Sequence, residues 1–220
     1  MANISLSNLT RANRSISILS SMLLHNLLED YNLILASASP RRRQLLAECG
    51  LQFTLADKFE CDEHYPAAMP SVEVAEYLSR LKSNAYPKSL AANDILLTAD
   101  TIVVVDNTIL GKPTDREDAV AMLRMLSGRK HTVITGVTMR TEDKCKSFSV
   151  ASTVSFRELT SEEIDYYIDT YRPFDKAGAY GIQEWIGYVA IEGIDGSFFN
   201  VMGLPVQRLY VELSEFIKGL

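Results

Sequence analysis

Blocks of apolar residues with two different periods follow one another along the chain and predict alternating strands and helices. Short apolar runs, rich in Val, Ile and Leu, predict strands at residues 33–36, 51–55, 131–139, 148–156 and 188–191. Longer runs, with apolar positions three to four residues apart, predict helices at residues 40–48, 72–86, 161–171 and 206–217.

Turn residues between these runs add a hairpin and one more helix. In ILLTADTIVVVDNTILGKP, two β-rich runs meet around Asp106, Asn107 and Thr108, which predicts a β-hairpin. The segment TDREDAVAMLRMLSGRKH predicts a helix that is capped by Thr114 and ends at Gly128. Residues 193–205, after the last predicted strand, are expected to form a loop.

Capping residues set the ends of the other helices. Ser39 followed by Pro40 predicts an N-cap and a first helical residue, and Gly50 suits the C-terminal end of the same helix. Thr160 and Glu163 form a capping box. The alternation of strands and helices predicts an α/β fold, and the hairpins predict a mixed sheet with flanking helices. Without a recognisable linker, residues 31–220 are expected to form one domain.

The first 30 residues differ from the rest, because they are rich in Ser and Asn and contain no acidic residue before Glu29. Three interpretations are open for this N-terminal extension. It has the composition of an organellar transit peptide, it could be an addition from an upstream start codon with Met22 as the alternative start, or it could form an ordinary surface helix. In each case we expect the extension to be non-catalytic.

Composition and charge exclude several classes of protein. Of the 220 residues, 47% are hydrophobic and 23% are charged, which is ordinary for a globular chain. The net charge of −6 argues against broad binding to nucleic acid or to an anionic membrane. No apolar stretch approaches the roughly 20 residues of a membrane span. The three cysteines contain no CxxC pair, so neither a disulfide framework nor a zinc site is predicted, and a cytoplasmic location fits best.

Three arginines stand where a helix is predicted to begin. Arg41, Arg42 and Arg43 follow Pro40, although the N-terminus of a helix carries a partial positive charge that favours acidic residues. Free backbone N–H groups and the helix dipole form an anion site there, and guanidinium groups suit phosphate oxygens. The turn therefore predicts a phosphate site, unless the three side chains simply extend into solvent.

Asp100 is an acidic residue in the middle of a strongly β-forming run. A buried carboxylate is costly unless it is paired, bound to a metal or used as a general base. A structural role, such as pairing with a lysine, is equally open. The neighbouring Thr101 faces the opposite way if the strand is regular, and faces the same site if the chain bends there.

Other polar residues are ordinary when each is taken alone. Hairpin geometry could bring Lys112 near Asp100, while Glu63 and Lys82 carry no signal by themselves. Gln183 follows two glycines and offers a donor and an acceptor, which suits a nucleobase edge or an ordinary turn. The sequence contains no GxxxxGK[ST], no GxGxxG after a strand and no GxSxG, so any phosphate chemistry uses another scaffold.

Taken together, these segments closely resemble the Maf family of nucleoside triphosphate pyrophosphatases. The resemblance runs from about residue 33 to residue 206, through eight short motifs in order. The motifs are SASPRR, DE, RLKSNA, ADTIVVVD, GKP, SGRKHTVITGV, DKAGAYGIQ and NVMGLP. It implies a homodimer of an α/β fold, shared with inosine triphosphatase-like proteins, with two lobes around a deep cleft. It also implies Mg²⁺- or Mn²⁺-dependent hydrolysis of a nucleoside triphosphate to the monophosphate and pyrophosphate.

The resemblance assigns a role to each matching residue. Asp100 corresponds to the catalytic proton acceptor, and Glu63 together with Asp100 to the metal-binding residues. The residues that gather the phosphates correspond to Ser37, Arg42, Lys82 and Lys112. The residues that distinguish the dTTP/UTP branch from the 7-methyl-GTP branch correspond to Arg41, Thr101 and Gln183.

Two functions of other classes compete with nucleoside triphosphate hydrolysis. A nucleotide-binding regulator of cell division, with incidental turnover, would use the same site but would not need the complete set of Asp100, Glu63, Lys82 and Lys112. A nucleic-acid-binding protein that uses the arginine turn is disfavoured by the net charge of −6.

Overall fold

The computed structural model describes residues 23–220, so expectations for residues 1–22 lie outside the described part of the chain. The helices are α1 (Leu24–Leu27), α2 (Pro40–Glu48), α3 (Ser71–Asn84), α4 (Arg116–Leu126), α5 (Ser161–Tyr171), α6 (Trp185–Ala190), α7 (Phe198–Met202) and α8 (Val206–Lys218). The strands are β1 (Asn32–Leu35), β2 (Thr54–Leu55), β3 (Asp94–Val105), β4 (Thr108–Leu110), β5 (Lys130–Arg140), β6 (Cys145–Phe156) and β7 (Ile191–Asp195). A short 3₁₀ turn covers Ala177–Ala179.

The seven strands form one mixed sheet in the order β2-β1-β3-β5-β6-β7, with β4 also paired to β3. Strand β1 is parallel to β2 and β3, whereas β3, β5, β6 and β7 are successively antiparallel. The predicted α/β class with a mixed sheet and flanking helices is therefore confirmed. Within residues 23–220, no helix is both long enough and apolar enough to cross a bilayer.

One edge of β3 is shared by two strands that do not meet. Strand β5 covers the other edge continuously from Leu96 to Val104. On the shared edge, β1 ends where Leu35 pairs with Leu97, and β4 ends where Leu110 pairs with Val103. Among the described residues, no strand pairs with positions 98–102 on this side. The sheet thus has a gap beside the residues that flank Asp100.

The predicted hairpin is confirmed and its turn is short. Asp106 and Asn107 both adopt left-handed backbone conformations, with φ of 47° and 64°. Two consecutive residues with positive φ are typical of the type I′ turn that matches strand twist. The turn fixes the register of β4 on β3, with Val105 opposite Thr108.

Helix ends agree with the sequence in some places and differ in others. Helix α5 spans Ser161–Tyr171 and begins with the predicted Thr160–Glu163 capping box. Helix α4 is capped by the Asp115 carboxylate rather than by Thr114, so that prediction was wrong by one residue. Ser39 occupies the N-cap of α2, but its side chain caps no backbone N–H.

The region after residue 184 was predicted incorrectly. Residues 188–190, predicted to begin a strand, belong to helix α6, and strand β7 begins only at Ile191. Helix α7 lies within the expected loop, and its N-cap Ser197 accepts a hydrogen bond from the Asn200 N–H. Of the strand expected at residues 51–55, only Thr54 and Leu55 are extended.

Helix α1 belongs to the folded core. Leu24 is fully buried and Leu27 is nearly so. The Leu24 N–H donates to the Tyr210 hydroxyl of α8 at 3.1 Å, so α1 is attached to the C-terminal helix. The core therefore includes residues that the sequence grouped with the N-terminal extension.

Helix α3 packs unusually close to the sheet, at Gly136 of β5. A Cβ atom on Gly136 would lie inside the van der Waals radius of the Ala75 backbone. Beside this contact, the Thr98 hydroxyl donates to the Ser79 carbonyl at 2.7 Å, and the Ser79 and Thr138 hydroxyls are hydrogen-bonded at 2.7 Å. These contacts fix where α3 lies over the middle of β3.

His131, at the start of β5, is buried in an aromatic cluster. Its Nε2 lies 2.8 Å from the Tyr180 hydroxyl, and its ring packs edge-on against Phe156 and Tyr180. Burial lowers the pKa of His131 to about 4, because the charged imidazolium would lose its hydration.

This lowered pKa predicts a pH-dependent stability. The folded state favours neutral His131, so its contribution is present above pH 6.5 and is lost as the pH falls from 6.5 towards 4. At about 1.4 kcal/mol per pKa unit, we expect a loss on the order of 3 kcal/mol in the free energy of unfolding. Urea unfolding at several pH values checks this. The His131→Phe variant should lack that part of the slope, and an identical slope in both proteins contradicts the assignment.

Candidate phosphate-handling site

Arg42 fills the gap in the sheet edge. Its Nη1 donates to the Ala99 carbonyl at 2.9 Å and its Nε donates to the Gly203 carbonyl at 2.8 Å. Nη1 also donates to Ser37 Oγ at 3.3 Å, and Nη2 donates to Thr101 Oγ1 at 3.0 Å. The guanidinium thereby joins the start of α2, the unpaired edge of β3 and the loop after α7.

The surroundings of Arg42 affect its pKa in two opposite directions. Burial lowers the pKa of Arg42, and the neighbouring Arg41 acts in the same direction. The charges of Asp100 and Glu63 oppose this shift and favour the guanidinium ion. Four of its five N–H donors are already in hydrogen bonds, so Arg42 can act on a phosphate mainly through its charge and one remaining donor.

The two other arginines at the start of α2 also have partners within the protein. Arg41 Nη1 forms an ion pair with Asp175 Oδ2 at 2.9 Å. Arg43 Nη2 donates to the Ala38 carbonyl at 3.1 Å. The arginines therefore do not all extend into solvent. The first backbone N–H groups of α2 have no intrahelical acceptor and, with the helix dipole, favour an anion at this point.

Asp100 lies in β3 with its carboxylate against a lysine. Only 12% of its side chain is exposed, and its Oδ1 lies 2.5 Å from Lys82 Nζ. The same ammonium group lies 3.0 Å from Glu63 Oε2 on the preceding loop. Lys82 is thus held between two carboxylates, near the end of α3, the helix that packs against the sheet at Gly136. The structure brings together three of the residues singled out from the sequence.

Thr101 faces away from Asp100. The ladder between β3 and β5 is regular, with Asp100 opposite Gly136 and Thr101 opposite Thr135, so consecutive side chains lie on opposite faces. Thr101 Oγ1 lies 3.0 Å from Thr135 Oγ1 and accepts from Arg42. The chain does not bend here, and Thr101 is linked to the site through Arg42.

Lys112 is exposed and lies just beyond β4. It lies two positions after Leu110, which pairs with Val103, so the direction of β4 leads towards the level of Thr101. The preceding Gly111 carbonyl accepts from the Gly178 N–H at 2.9 Å. Lys112 forms no ion pair with any residue in the described range, which leaves its ammonium group available to a ligand.

Gln183 lies in a turn in which the Glu184 N–H donates to the Gly181 carbonyl at 3.0 Å. Its Oε1 is buried and has no hydrogen-bond partner among the described residues. A buried acceptor without a partner is costly, and a ligand that carries an N–H donor would satisfy it.

Three charged residues next to this turn were not recognised from the sequence. Asp175, Lys176 and Glu184 form a line of ion pairs that begins at Arg41. Asp175 and Lys176 belong to the DKAGAYGIQ motif, so the motif itself was the available signal. The ion pair between Asp175 and Arg41 joins residues 134 positions apart, which no local pattern could indicate.

The carboxylates at the site fit a divalent cation that is shared with a substrate. Mg²⁺ is usually held by one or two carboxylates together with substrate phosphates and water. Glu63 and Asp100 supply two carboxylates, already arranged around one cationic group. Within residues 23–220, no group of three or more His, Cys, Asp or Glu side chains is placed to hold a metal ion by itself. Substrate phosphates and water would supply the remaining ligands of an ion held by these two carboxylates.

The buried Asp100 carboxylate is paired with Lys82, and Arg42 at the start of α2 is hydrogen-bonded to the residues on either side of Asp100, at the gap in the sheet. The fold and the site thus define an α/β protein of the phosphate-handling class. The chain belongs to the Maf family, because the model of that family, described as Maf-like protein, matches residues 32–216. The family expected from the eight motifs is confirmed.

Curated relatives are similar over most of their length. The dTTP/UTP pyrophosphatase of Bacteroides thetaiotaomicron is 51% identical over 188 residues, which cover 86% of this chain and 97% of that protein. The dTTP/UTP pyrophosphatase of Parabacteroides distasonis is 52% identical over 189 residues, covering 86% and 98%. A solved HAM1 protein from Coxiella burnetii superposes with a TM-score of 0.45 at 13% identity, over 84% of this chain and 99% of its own. The family assignment rests on the sequence matches.

Proposed function

We propose that this protein hydrolyses dTTP and UTP between the α- and β-phosphates, giving the nucleoside monophosphate and pyrophosphate. The observation that carries the proposal is the buried Asp100 carboxylate, held 2.5 Å from Lys82 Nζ beside the cationic start of α2. The names of relatives about 50% identical to this chain support the same reaction and substrates.

Binding of the triphosphate uses the positive groups around the gap. The free N–H groups of α2 and the Ser37 hydroxyl donate hydrogen bonds to phosphate oxygens. Lys112, just beyond the end of β4, places its ammonium group against the same phosphates. Arg42 adds positive charge from its fixed position. Phosphate oxygens compete with the carboxylates for Lys82, so binding transfers the Lys82 ammonium from Asp100 to the substrate. Positioning and charge stabilisation of this kind account for most catalysis of phosphoryl transfer.

Asp100 then acts as the general base. Once Lys82 engages a phosphate, the Asp100 carboxylate accepts a proton from a water molecule. The water oxygen forms a bond to phosphorus as the bond to the bridging oxygen breaks, and pyrophosphate leaves. Glu63 and Asp100 would hold a Mg²⁺ or Mn²⁺ ion, which neutralises phosphate charge when bound.

Gln183 provides a means of selecting the base. Thymine and uracil present an imide N–H between two carbonyl groups, and a side-chain amide offers the complementary acceptor and donor. The unpartnered Gln183 Oε1 would accept from such an N–H. A site that hydrogen-bonds a substrate group discriminates strongly against analogues without it, because its own polar atoms would then stay unpaired.

A substrate panel tests the proposed reaction. The purified protein is incubated with Mg²⁺ or Mn²⁺ and with dTTP, UTP, dCTP, dATP and dGTP, and the monophosphates and pyrophosphate are measured. We expect dTMP and UMP to form with one pyrophosphate each. Release of inorganic phosphate with a diphosphate would contradict the cleavage position, and preferred turnover of purine nucleotides would contradict the base selection.

Nucleotide binding should also stabilise the protein. The cations gathered around Arg42 repel one another, and a bound triphosphate removes that repulsion. At a concentration 100 times the Kd, a ligand adds about 2.7 kcal/mol to the free energy of unfolding. Thermal unfolding at pH 7 with saturating dTTP, and with Ca²⁺ in place of Mg²⁺ or Mn²⁺, should therefore show a higher Tm. An unchanged Tm at saturating nucleotide contradicts the site, whereas a raised Tm without turnover in the panel favours a nucleotide-binding regulator.

The resemblance also predicts the setting in which the enzyme acts. We propose a homodimer that acts on free nucleotides in the cytoplasm. Sedimentation of the purified protein tests the first part, and a mass of one chain across the micromolar range contradicts it.

A further inference from the structure

A line of polar and charged side chains runs from the start of α2 to the turn that carries Gln183. We call it the Lys176 network. Its members are Arg41, Asp175, Lys176, Glu184 and Tyr167. None of these except Arg41 has a role in the proposed hydrolysis.

Lys176 is the centre of the network and is almost completely buried. Only 7% of the residue is exposed, and a lysine is seldom buried to this extent unless it is paired. Its Nζ lies 2.7 Å from Asp175 Oδ1 and 3.0 Å from Glu184 Oε1. The ammonium group thus bridges two carboxylates that lie nine residues apart in the sequence.

On one side, the network reaches Arg41. The second oxygen of Asp175 accepts from Arg41 Nη1 at 2.9 Å, so one carboxylate holds both Lys176 and Arg41. Burial alone would raise the pKa of Asp175, but the hydrogen bonds from Lys176 and Arg41 outweigh it and lower that pKa. Asp175 is therefore ionised at neutral pH and fixes the direction of the Arg41 side chain.

On the other side, the network encloses the Gln183 turn. Tyr167 donates to Glu184 Oε2, and the same hydroxyl accepts from the Gly181 N–H at 3.0 Å. The Gly181 carbonyl in turn accepts from the Glu184 N–H. Both ends of the turn, Gly181 and Glu184, are thus attached to one tyrosine of α5.

Gly181 allows the groups of the turn to pack this closely. A Cβ at Gly181 would lie 3.0 Å from Lys176 Cε, 3.0 Å from Glu184 Cδ and 3.1 Å from Gln183 Nε2. The Lys176 stem, the Glu184 carboxylate and the Gln183 amide therefore surround the same point. The Lys176–Glu184 ion pair therefore lies next to the Gln183 amide.

We propose that Lys176 is a positioning residue for base selection, which holds Arg41 through Asp175 and Gln183 through Glu184 in one fixed arrangement. This inference rests on the proposed function, because it concerns how the same site distinguishes pyrimidine from purine triphosphates. Lys176 acts through Asp175 and Glu184 and not through a contact of its own with the substrate. It removes the freedom of two side chains that would otherwise have to be ordered when the base binds.

Two variants test the inference, and a third serves as a matched control. Lys176→Met keeps the apolar stem and removes the charge, whereas Glu184→Gln keeps a hydrogen-bonding group for Tyr167 and removes one ion pair. Glu212→Gln is the control, because the Glu212 carboxylate is similarly buried and is also held by two cations, Lys146 and Arg208. Its network joins α8 to β6, away from the Gln183 turn.

The measured quantity is the ratio of kcat/KM for dTTP to kcat/KM for dATP. We expect this ratio to fall at least about tenfold in Lys176→Met and in Glu184→Gln, mainly through a higher KM for dTTP. We expect the Glu212→Gln variant to keep the wild-type ratio, although it too loses an ion pair. A loss of folding alone would lower the active fraction for both nucleotides and leave the ratio unchanged.

The outcomes separate this inference from the proposed function. A wild-type protein without preference for dTTP overturns the proposed function and the inference with it. A selective wild type whose ratio persists in Glu184→Gln overturns the inference alone, even if Lys176→Met does not fold. A ratio that falls equally in Glu212→Gln also overturns it, because any lost ion pair would then have the same effect.

Discussion

Replacing Asp100 with asparagine is expected to lower kcat by about 10²- to 10⁴-fold, the usual effect of losing a general base. The amide keeps the size of the carboxylate but cannot accept the proton from water. The Asp100 side chain is 12% exposed and its carboxylate is paired with Lys82 Nζ. Among the described residues, only Glu63 also places a carboxylate against this lysine. Steady-state hydrolysis of dTTP by the variant measures the effect.

A second aspartate in the same strand provides the control. Asp94 begins β3 and accepts from the Asn32 side chain and the Ala91 N–H, 6 residues away from Asp100 in the sequence. The Asp94→Asn variant should keep kcat within about threefold while losing a similar charge. Asp100→Asn should still gain thermal stability from dTTP. Near-normal turnover by Asp100→Asn would show that another group accepts the proton.

Replacing Gly136 with alanine is expected to destabilise the protein by about 3 kcal/mol, near the upper end of the usual effect of overpacking. The added Cβ would overlap the Ala75 backbone, which cannot move aside as a flexible side chain could. Helix α3 must therefore shift away from the sheet. Lys82 lies two turns further along this helix, so its ammonium would leave Asp100. Because a displacement of about 1 Å can lower a rate about 10²-fold, kcat/KM should fall by this order.

Gly193 offers a matched comparison for this change. It also lies in a strand, β7, but a Cβ there would meet no atom within 4 Å. Gly193→Ala should change the free energy of unfolding by no more than about 0.5 kcal/mol and leave kcat/KM unaltered. Urea unfolding and dTTP hydrolysis of both variants decide the question. If Gly136→Ala is as stable and active as Gly193→Ala, then α3 is not held by close packing at this point.

Local sequence signals predicted those parts of the fold whose stabilising contacts are also local. The capping box of Thr160 and Glu163 places both partners within one turn, and α5 was predicted to the residue. The Asp106–Asn107 hairpin is of the same kind, since its turn residues determine its register. The strand predicted at residues 188–191 was wrong for residues 188–190, because the short apolar run WIGYVA suits a buried helix as well as a strand.

The candidate site was predictable in its membership but not in its geometry. The resemblance singled out Asp100, Lys82 and Glu63, and the structure brings their charged groups together. Lys82 lies between both carboxylates because of the way α3 crosses β3. The close packing of α3 on Gly136, which belongs to the different strand β5, determines this crossing. Nor could the sequence show that Thr101 faces away from Asp100, because that required knowing that the ladder is regular.

The arginines at the start of α2 were also predictable as a group, but their partners within the protein were not. The sequence identified Arg41 and Arg42 as misplaced charges and predicted an anion for them. The structure supplies acceptors within the protein, the Asp175 carboxylate and the Gly203 carbonyl, which no local pattern indicates. A phosphate that binds here joins an arrangement that is already largely hydrogen-bonded.

These two arginine contacts also determine how the protein responds when it begins to unfold. Arg42 reaches a carbonyl 161 residues away and Arg41 reaches a carboxylate 134 residues away, so the first and last thirds of the chain meet at the site. Neither third can open alone without breaking it. A bound nucleotide therefore opposes the opening of either third as well as the unfolding of the whole molecule, because each of these events breaks the site and releases the nucleotide.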